Sequence, residues 1–241
     1  MTNVDESVDS QDQSGEKTQK KAGRKSMPLW QETILLLGLA LVLALVIKSL
    51  FVQAFYIPSP SMEPLFIKND RILVQKVSYW GGATPSRGDI VVFKDPGGWL
   101  NGVDTTPLGP VTELMEKVGL YPTGGHLVKR VIGVGGDRVV CCDAKGRITV
   151  NGKALNEKAY LPKGTAPSQI KFDQTIPKHH LWMMGDNRSF SYDSRGHMGG
   201  PGGGFVSDDL VVGKVFTLIW PWERAKFIHR PDTFEDIPDA K

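Results

Sequence analysis

Cysteine is nearly missing from this chain: its 241 residues hold two, Cys141 and Cys142, and these are adjacent. That is the spacing of neither a disulfide framework nor a zinc site. Neighbouring cysteines pair only through a small strained ring, so both are read as half-buried strand residues. None of the five histidines falls in an HExxH pattern, and no metal is expected. A GK[ST] phosphate loop is absent. "GVGGD" (133–137) lacks a third glycine at the right offset and runs into strand-like "RVVCC" rather than a helix, which excludes a Rossmann site. No cofactor of any kind is expected. Excess charge is lacking too: 29 Lys and Arg stand against 26 Asp and Glu, and no basic-aromatic stripe occurs, so nucleic acid is not an expected partner. No internal repeat is present, and no serine sits in a GxSxG elbow.

One long apolar run is present. Residues 1–28 are polar and hold almost nothing that can form a core, so 1–29 reads as a disordered tail. "TILLLGLALVLALVI" (33–47) then runs without a charge. With its flanks it reads as a membrane anchor over 30–54, close to the roughly 20 residues a bilayer requires. Lys17, Lys20, Lys21, Arg24 and Lys25 precede the run, and only Lys48 follows before Lys68. The positive-inside rule therefore places the tail in the cytoplasm and the remainder outside. A cleavable signal peptide ending at "VQA" (52–54) is the competing reading. The late start of the basic region and the lack of a clean polar end favour a retained anchor.

Beyond Phe55 the pattern is β. "DRILVQKVSYW" (70–80), "GDIVVFKDP" (88–96), "LVKRVIGVGGDRVVCCD" (127–143), "GRITVNGKAL" (146–155) and "GKVFTLIWPW" (213–222) are β-branched runs broken by Gly, Asp and Pro. "VTELMEKVGL" (111–120) is a short helical candidate, and "GGPGGG" (199–204) a loop. The fold class is mainly β, with antiparallel or mixed sheets.

Three stretches bear chemistry. "PSPSMEP" (58–64) is stiffened by proline and expected to be extended, which fixes Ser61 in one orientation. No histidine lies near it in sequence, although a Ser-His-Asp triad assembles from distant positions. Lysine is the other base, provided that burial disfavours its ammonium form. Lys129 sits in "HLVKRVIGVGGD", and a period of two puts Leu127, Lys129 and Val131 on one face and Val128, Arg130 and Ile132 on the other. One of Lys129 and Arg130 should then point inward; a snorkelling edge lysine is the bland alternative. Finally, "MGDNRSFSYDSRG" (184–196) crowds two Asp and two Arg that could pair internally into an ordered network.

Taken in order, the anchor, "PSPSMEP", "DRILVQK", "RGDIVVF", "KRVIGVGGD" and "GDNRSFSYDSR" resemble bacterial type I signal peptidase, a membrane-anchored serine protease of the secretory pathway. The resemblance implies Ser61 as nucleophile and Lys129 as general base. It implies Ser59 as an oxyanion-hole hydroxyl, Ser191 as the hydroxyl orienting the lysine, and Asp193 with Arg195 as a supporting ion pair. Ile57, Pro58, Met62, Leu127 and Val128 match shallow apolar substrate-pocket positions. It further implies a protease domain over 55–228 outside a bacterial plasma membrane. A smaller β subdomain is inserted at about 138–178, and a C-terminal tail covers 229–241. The partners implied are signal peptides of secretory preproteins and the lipid bilayer. Segment 96–125 is longer and richer in Gly and Pro than the family leads one to expect. Two rival functions stand beside this one: an idle anchored β-domain that binds exported chains, and a soluble hydrolase released after Ala54.

Overall fold

A computed structural model of the chain describes residues 28–100 and 125–240. The helical candidate at 111–120 and most of the N-terminal tail lie outside the described residues. The chain divides into two compact units, residues 1–41 and 42–241.

Helix α1 (Leu29–Phe51, 23 residues) starts in the first unit and ends in the second. Its leucines and alanines lose little rotamer freedom in a helix. The Pro28 carbonyl accepts from the Gln31 and Glu32 N–H groups, and Glu32 complements the positive end of the dipole. Leu35, Leu37, Leu39, Leu41 and Leu43 all stay more than half exposed, so the helix is apolar without protein to cover it. At 1.5 Å per residue it rises roughly 35 Å, more than the hydrocarbon core of a bilayer. Among the described residues it is the one helix long and apolar enough to cross a membrane. It stops at Phe51 rather than at residue 54, because Val52–Tyr56 is captured as strand β1 by the neighbouring β2 (Arg71–Gln75).

The remaining strands are β3 (Ile90–Lys94), β4 (His126–Val134), β5 (Arg138–Cys141), β6 (Ile148–Val150), β7 (Lys153–Ala154), β8 (Phe172–Thr175), β9 (His180–Met184), β10 (Val206–Ser207), β11 (Val211–Trp220) and β12 (Lys226–Phe227). They form an eight-stranded sheet in the order β1-β2-β11-β3-β4-β9-β10, with β12 beside β11, and a four-stranded sheet β7-β6-β5-β8. All the pairings among the described residues are antiparallel, and the fold is mainly β, as the β-branched runs led one to expect.

The middle of the large sheet is covered on both faces. Ile90 and Val92 of β3 join a core with Phe55, Ile72, Val74 and Val215, while Val91 and Phe93 join another with Leu127, Val131 and Met183. That double burial explains why "IVVF" is apolar without alternation. It also corrects the expectation that only one of two adjacent basic residues turns inward: Lys129 is 4% exposed and Arg130 1%.

The sheets are tied at the β4–β5 turn by the buried Asp137. It accepts from Arg87 Nε and Nη2 at 2.7 and 2.6 Å, from the Val134 N–H at 2.8 Å and from Asn151 Nδ2 at 2.8 Å. Cys141 and Cys142, expected as unpaired strand residues, are joined to each other by a disulfide. Cys141 is the last residue of β5, so the disulfide sits where the chain leaves the ladder. Of the residues after 228, Phe234 and Ile237 are buried in the core of the small sheet.

Candidate active site

Ser61 sits in a stretch that is only partly extended. Ser59 has φ −126° and ψ 157°, but Pro60–Met62 closes a single 3-10 turn, with the Glu63 N–H on the Pro60 carbonyl at 3.1 Å. The expectation of a wholly extended segment fails because proline's fixed φ suits the first position of a helical turn. Ile57 and Met62 plug into the core on either side, at 2% and 1% exposure. With both neighbours fixed, Ser61 itself is held, 6% exposed. The Asn187 N–H donates to the Ser61 carbonyl at 3.0 Å, latching the 185–196 segment to this turn.

Lys129 Nζ donates to Ser61 Oγ at 2.7 Å, across 68 positions of sequence, and to the Val128 carbonyl at 3.2 Å. It makes no ion pair among the described residues. Burial is the largest influence on its amine and favours the neutral form; the carboxylates of Asp193 and Asp186 pull the other way, and the Arg195 charge adds to the lowering. The result is a pKa of about 8 against an ordinary 10.5. Ser59 Oγ lies 3.2 Å from Ser61 Oγ.

The 185–196 segment is an ordered ion network, but the pairing is only partly internal. Arg195 grips Asp193 with Nε and Nη2, both at 2.8 Å. Burial alone would raise the Asp193 carboxyl; the Arg195 contacts and the Gly185 N–H hold it below its ordinary value, so it remains an anion. Asp186 instead takes Arg130 from β4, bidentate at 2.7 and 2.6 Å, and Arg188 takes Glu157 at 2.6 Å. Sequence reasoning missed these two partners. Each stands next to a lysine, Arg130 after Lys129 and Glu157 before Lys158, and nothing in its local stretch names a partner across the fold.

Gly185 is the close-approach point. A methyl group there would collide with Ser191 Oγ and with the Ser61 carbonyl oxygen. Only a glycine lets Ser61 and Ser191 come together over this backbone.

The site thus brings a buried serine hydroxyl onto a buried lysine amine, with the whole arrangement set on antiparallel sheet. A family model described as signal peptidase, peptidase S26, matches residues 30–220. The chain belongs to this family.

Its similarity to curated signal peptidases extends over most of both chains. It is 35% identical over 233 residues to a probable signal peptidase I of Mycobacterium leprae, covering 83% of this chain and 79% of the relative. Signal peptidase I of Mycobacterium tuberculosis is 34% identical over 219 residues, with 80% and 74% covered. A probable signal peptidase I-2 of Synechocystis is 32% identical over 208 residues, with 86% and 81% covered.

Within this signal peptidase the remaining expected residues divide. Ser191 Oγ is buried beside Gly185, where its hydroxyl helps to keep the Asp193 carboxyl low, and it forms no hydrogen bond with Lys129. Ile57, Met62 and Leu127 (8% exposed) lie within the cores, while Pro58 is exposed and Val128 half-buried. Ile57 and Met62 share one core with Val128 packed against it, while Leu127 belongs to the core on the other face of the sheet.

Proposed function

We propose that this signal peptidase removes signal peptides from exported preproteins by a Ser61–Lys129 dyad, anchored through α1 in a bacterial plasma membrane. The observation that carries the reading is the 2.7 Å contact between Lys129 Nζ and Ser61 Oγ, made by a buried amine without a carboxylate partner. Neutral Lys129 takes the Ser61 proton as Oγ attacks the scissile carbonyl. The oxyanion is received by the Ser61 N–H and the Ser59 hydroxyl, donors aimed where negative charge develops. The lysine ammonium then protonates the leaving amine, and the same amine activates the water that hydrolyses the ester. Residues 126–129 of β4 pair with β3 on one edge, whereas β9 pairs only from Arg130 onward. Among the described residues no strand pairs with that second edge, which is suited to an extended substrate segment added as a strand.

The test is a cleavage assay on a preprotein across pH. The acidic limb should report a group near 8, with roughly a tenth of the enzyme active at pH 7 relative to the plateau. Ser191 is expected to reach the amine when the catalytic contacts tighten on bound substrate, so Ser191→Ala should lower kcat about 10- to 100-fold, the scale of a lost positioning contact, without abolishing cleavage. A limb at the ordinary lysine value, or a Ser191→Ala enzyme at full rate, overturns the corresponding assignment. Stability follows with a definite sign. The native state binds fewer protons than the unfolded chain between about 8 and 10.5, so stability falls as pH drops through that window.

For topology, the tail 1–29 is read as cytoplasmic and the domain from residue 55 as extracytoplasmic. Protease added to intact spheroplasts should digest the large domain. A fully protected domain reverses the orientation.

A further inference from the structure

The C-terminal segment 230–240 runs as a strap over both sheets. Arg230 Nη2 donates to the buried Asp89 at 2.9 Å, and the Asn156 N–H donates to Thr233 Oγ1 at 2.7 Å. Lys153 Nζ donates to the Asp236 carbonyl at 2.9 Å, and Asn151 Nδ2 to the Pro238 carbonyl at 2.8 Å. At its centre Phe234, 4% exposed, touches two groups that both face Arg130. One is Tyr160, whose ring stacks on Phe234 with centroids 6.1 Å apart and lies under the Arg130 guanidinium at 4.4 Å. The other is Gly88, whose carbonyl accepts from Arg130 Nη1 at 3.0 Å. Gly88 has φ +86°, and a methyl group on it would come within 2.7 Å of both Phe234 and Arg230. The Phe234 ring thus packs where a side chain at 88 would stand.

We propose that Phe234 is a positioning residue of the active site: through Tyr160 and Gly88 it holds Arg130 on Asp186, and so sets the electrostatic surroundings of Lys129. The inference rests on Lys129 being the base. The charged groups that act on Lys129 are Asp193 and Asp186, which favour its ammonium form, and Arg195, which opposes it. Those acting on Arg130 are Asp186, Tyr160 and Arg188, with Glu157 held by Arg188 and Tyr160. If Arg130 loosens, two effects follow with one sign. Water reaches the buried amine, and Asp186 becomes a less neutralised anion beside it. Both favour the ammonium form.

The experiment compares the full-length wild type, Phe234→Ala and a chain ending at Glu235, which retains Phe234 but loses the Asp236 and Pro238 contacts, the buried Ile237 and the Arg87 contact to its carbonyl. Phe234→Ala should shift the acidic limb up by about 0.5 to 1 unit. That lowers kcat/KM roughly 3- to 10-fold at pH 7 and leaves little difference on the alkaline plateau. The chain ending at Glu235 should lose thermal stability and keep its limb. If Phe234→Ala does not fold, Phe234→Leu, which keeps bulk but lacks the ring, takes its place. A limb that stays in place while Tm falls would mean that the strap is structural only, and overturns the proposal. Hydrogen exchange of residues 126–134 separates this from failure of the dyad reading. If the wild-type limb persists in Lys129→Arg, the dyad reading fails. In that case faster exchange in Phe234→Ala than in the shortened chain sustains the positioning of β4, and equal exchange overturns it.

Discussion

Ser61→Ala and Lys129→Ala are each expected to reduce preprotein cleavage by at least about 10⁴-fold while leaving the fold intact. The two groups act as a unit, 2.7 Å apart, and each has a role that the other cannot fill. In comparable nucleophile–base pairs the loss of one member costs nearly as much as the loss of both. Neither change should unfold the protein. Ser61→Ala removes one hydroxyl, and Lys129→Ala removes an amine whose burial already opposes its charged form. Lys129→Arg sharpens the test, because a guanidinium keeps the positive charge and cannot act as a base near neutral pH. It should be as inactive as Lys129→Ala. Substantial turnover in Lys129→Ala, together with a dead His126→Ala, would move the base to histidine. Measurable cleavage by Ser61→Ala would remove the nucleophile assignment.

Asp186→Ala is expected to cost on the order of 3–5 kcal/mol, the typical result of leaving one partner of a buried ion pair alone. Asp186 is fully buried, and Arg130, 1% exposed, gives it two charge-assisted hydrogen bonds at 2.7 and 2.6 Å. Without the carboxylate the guanidinium keeps its Gly88 carbonyl and its Tyr160 ring, but not its counter-charge. For a domain of this size the loss corresponds to a Tm lower by roughly 10 °C, measurable by calorimetry. A second readout has an independent sign. The Asp186 anion favours the Lys129 ammonium, so its removal should move the acidic limb of the surviving folded enzyme to lower pH. A Tm within about 2 °C of wild type would show that the pair is dispensable.

These two expectations come from different sources. The anchor, the strand runs and the order of the motif stretches are local properties of the chain. The period of two in "HLVKRVI" and the proline flanks of Ser61 needed no partner to be read. Their limits are local as well. A proline-rich heptapeptide does not reveal that Pro60–Met62 winds into a helical turn, since that depends on Ile57 and Met62 finding a core on both sides. Alternation along β4 suggested one buried base rather than two, because it carries no information on whether a second face is covered. The four charges of the 185–196 segment looked able to neutralise one another, yet two of them pair with Arg130 and Glu157.

The sequence by itself determined the class of this protein: an apolar span, a mainly β body, and a serine and a lysine in settings that make each useful. What only the tertiary structure decided is the charge balance around that lysine. A hydroxyl and an amine 68 residues apart become a pair only when β4, the Ser61 turn and the Gly185 crossing close on one another. Burial then shifts the amine towards its neutral form, because desolvation acts on the position of a group in the fold rather than on its neighbours in the chain. The strap at 230–240 belongs to the same category. Its phenylalanine has no periodic partner in sequence, and its place against Tyr160 and Gly88 exists only once both sheets have formed.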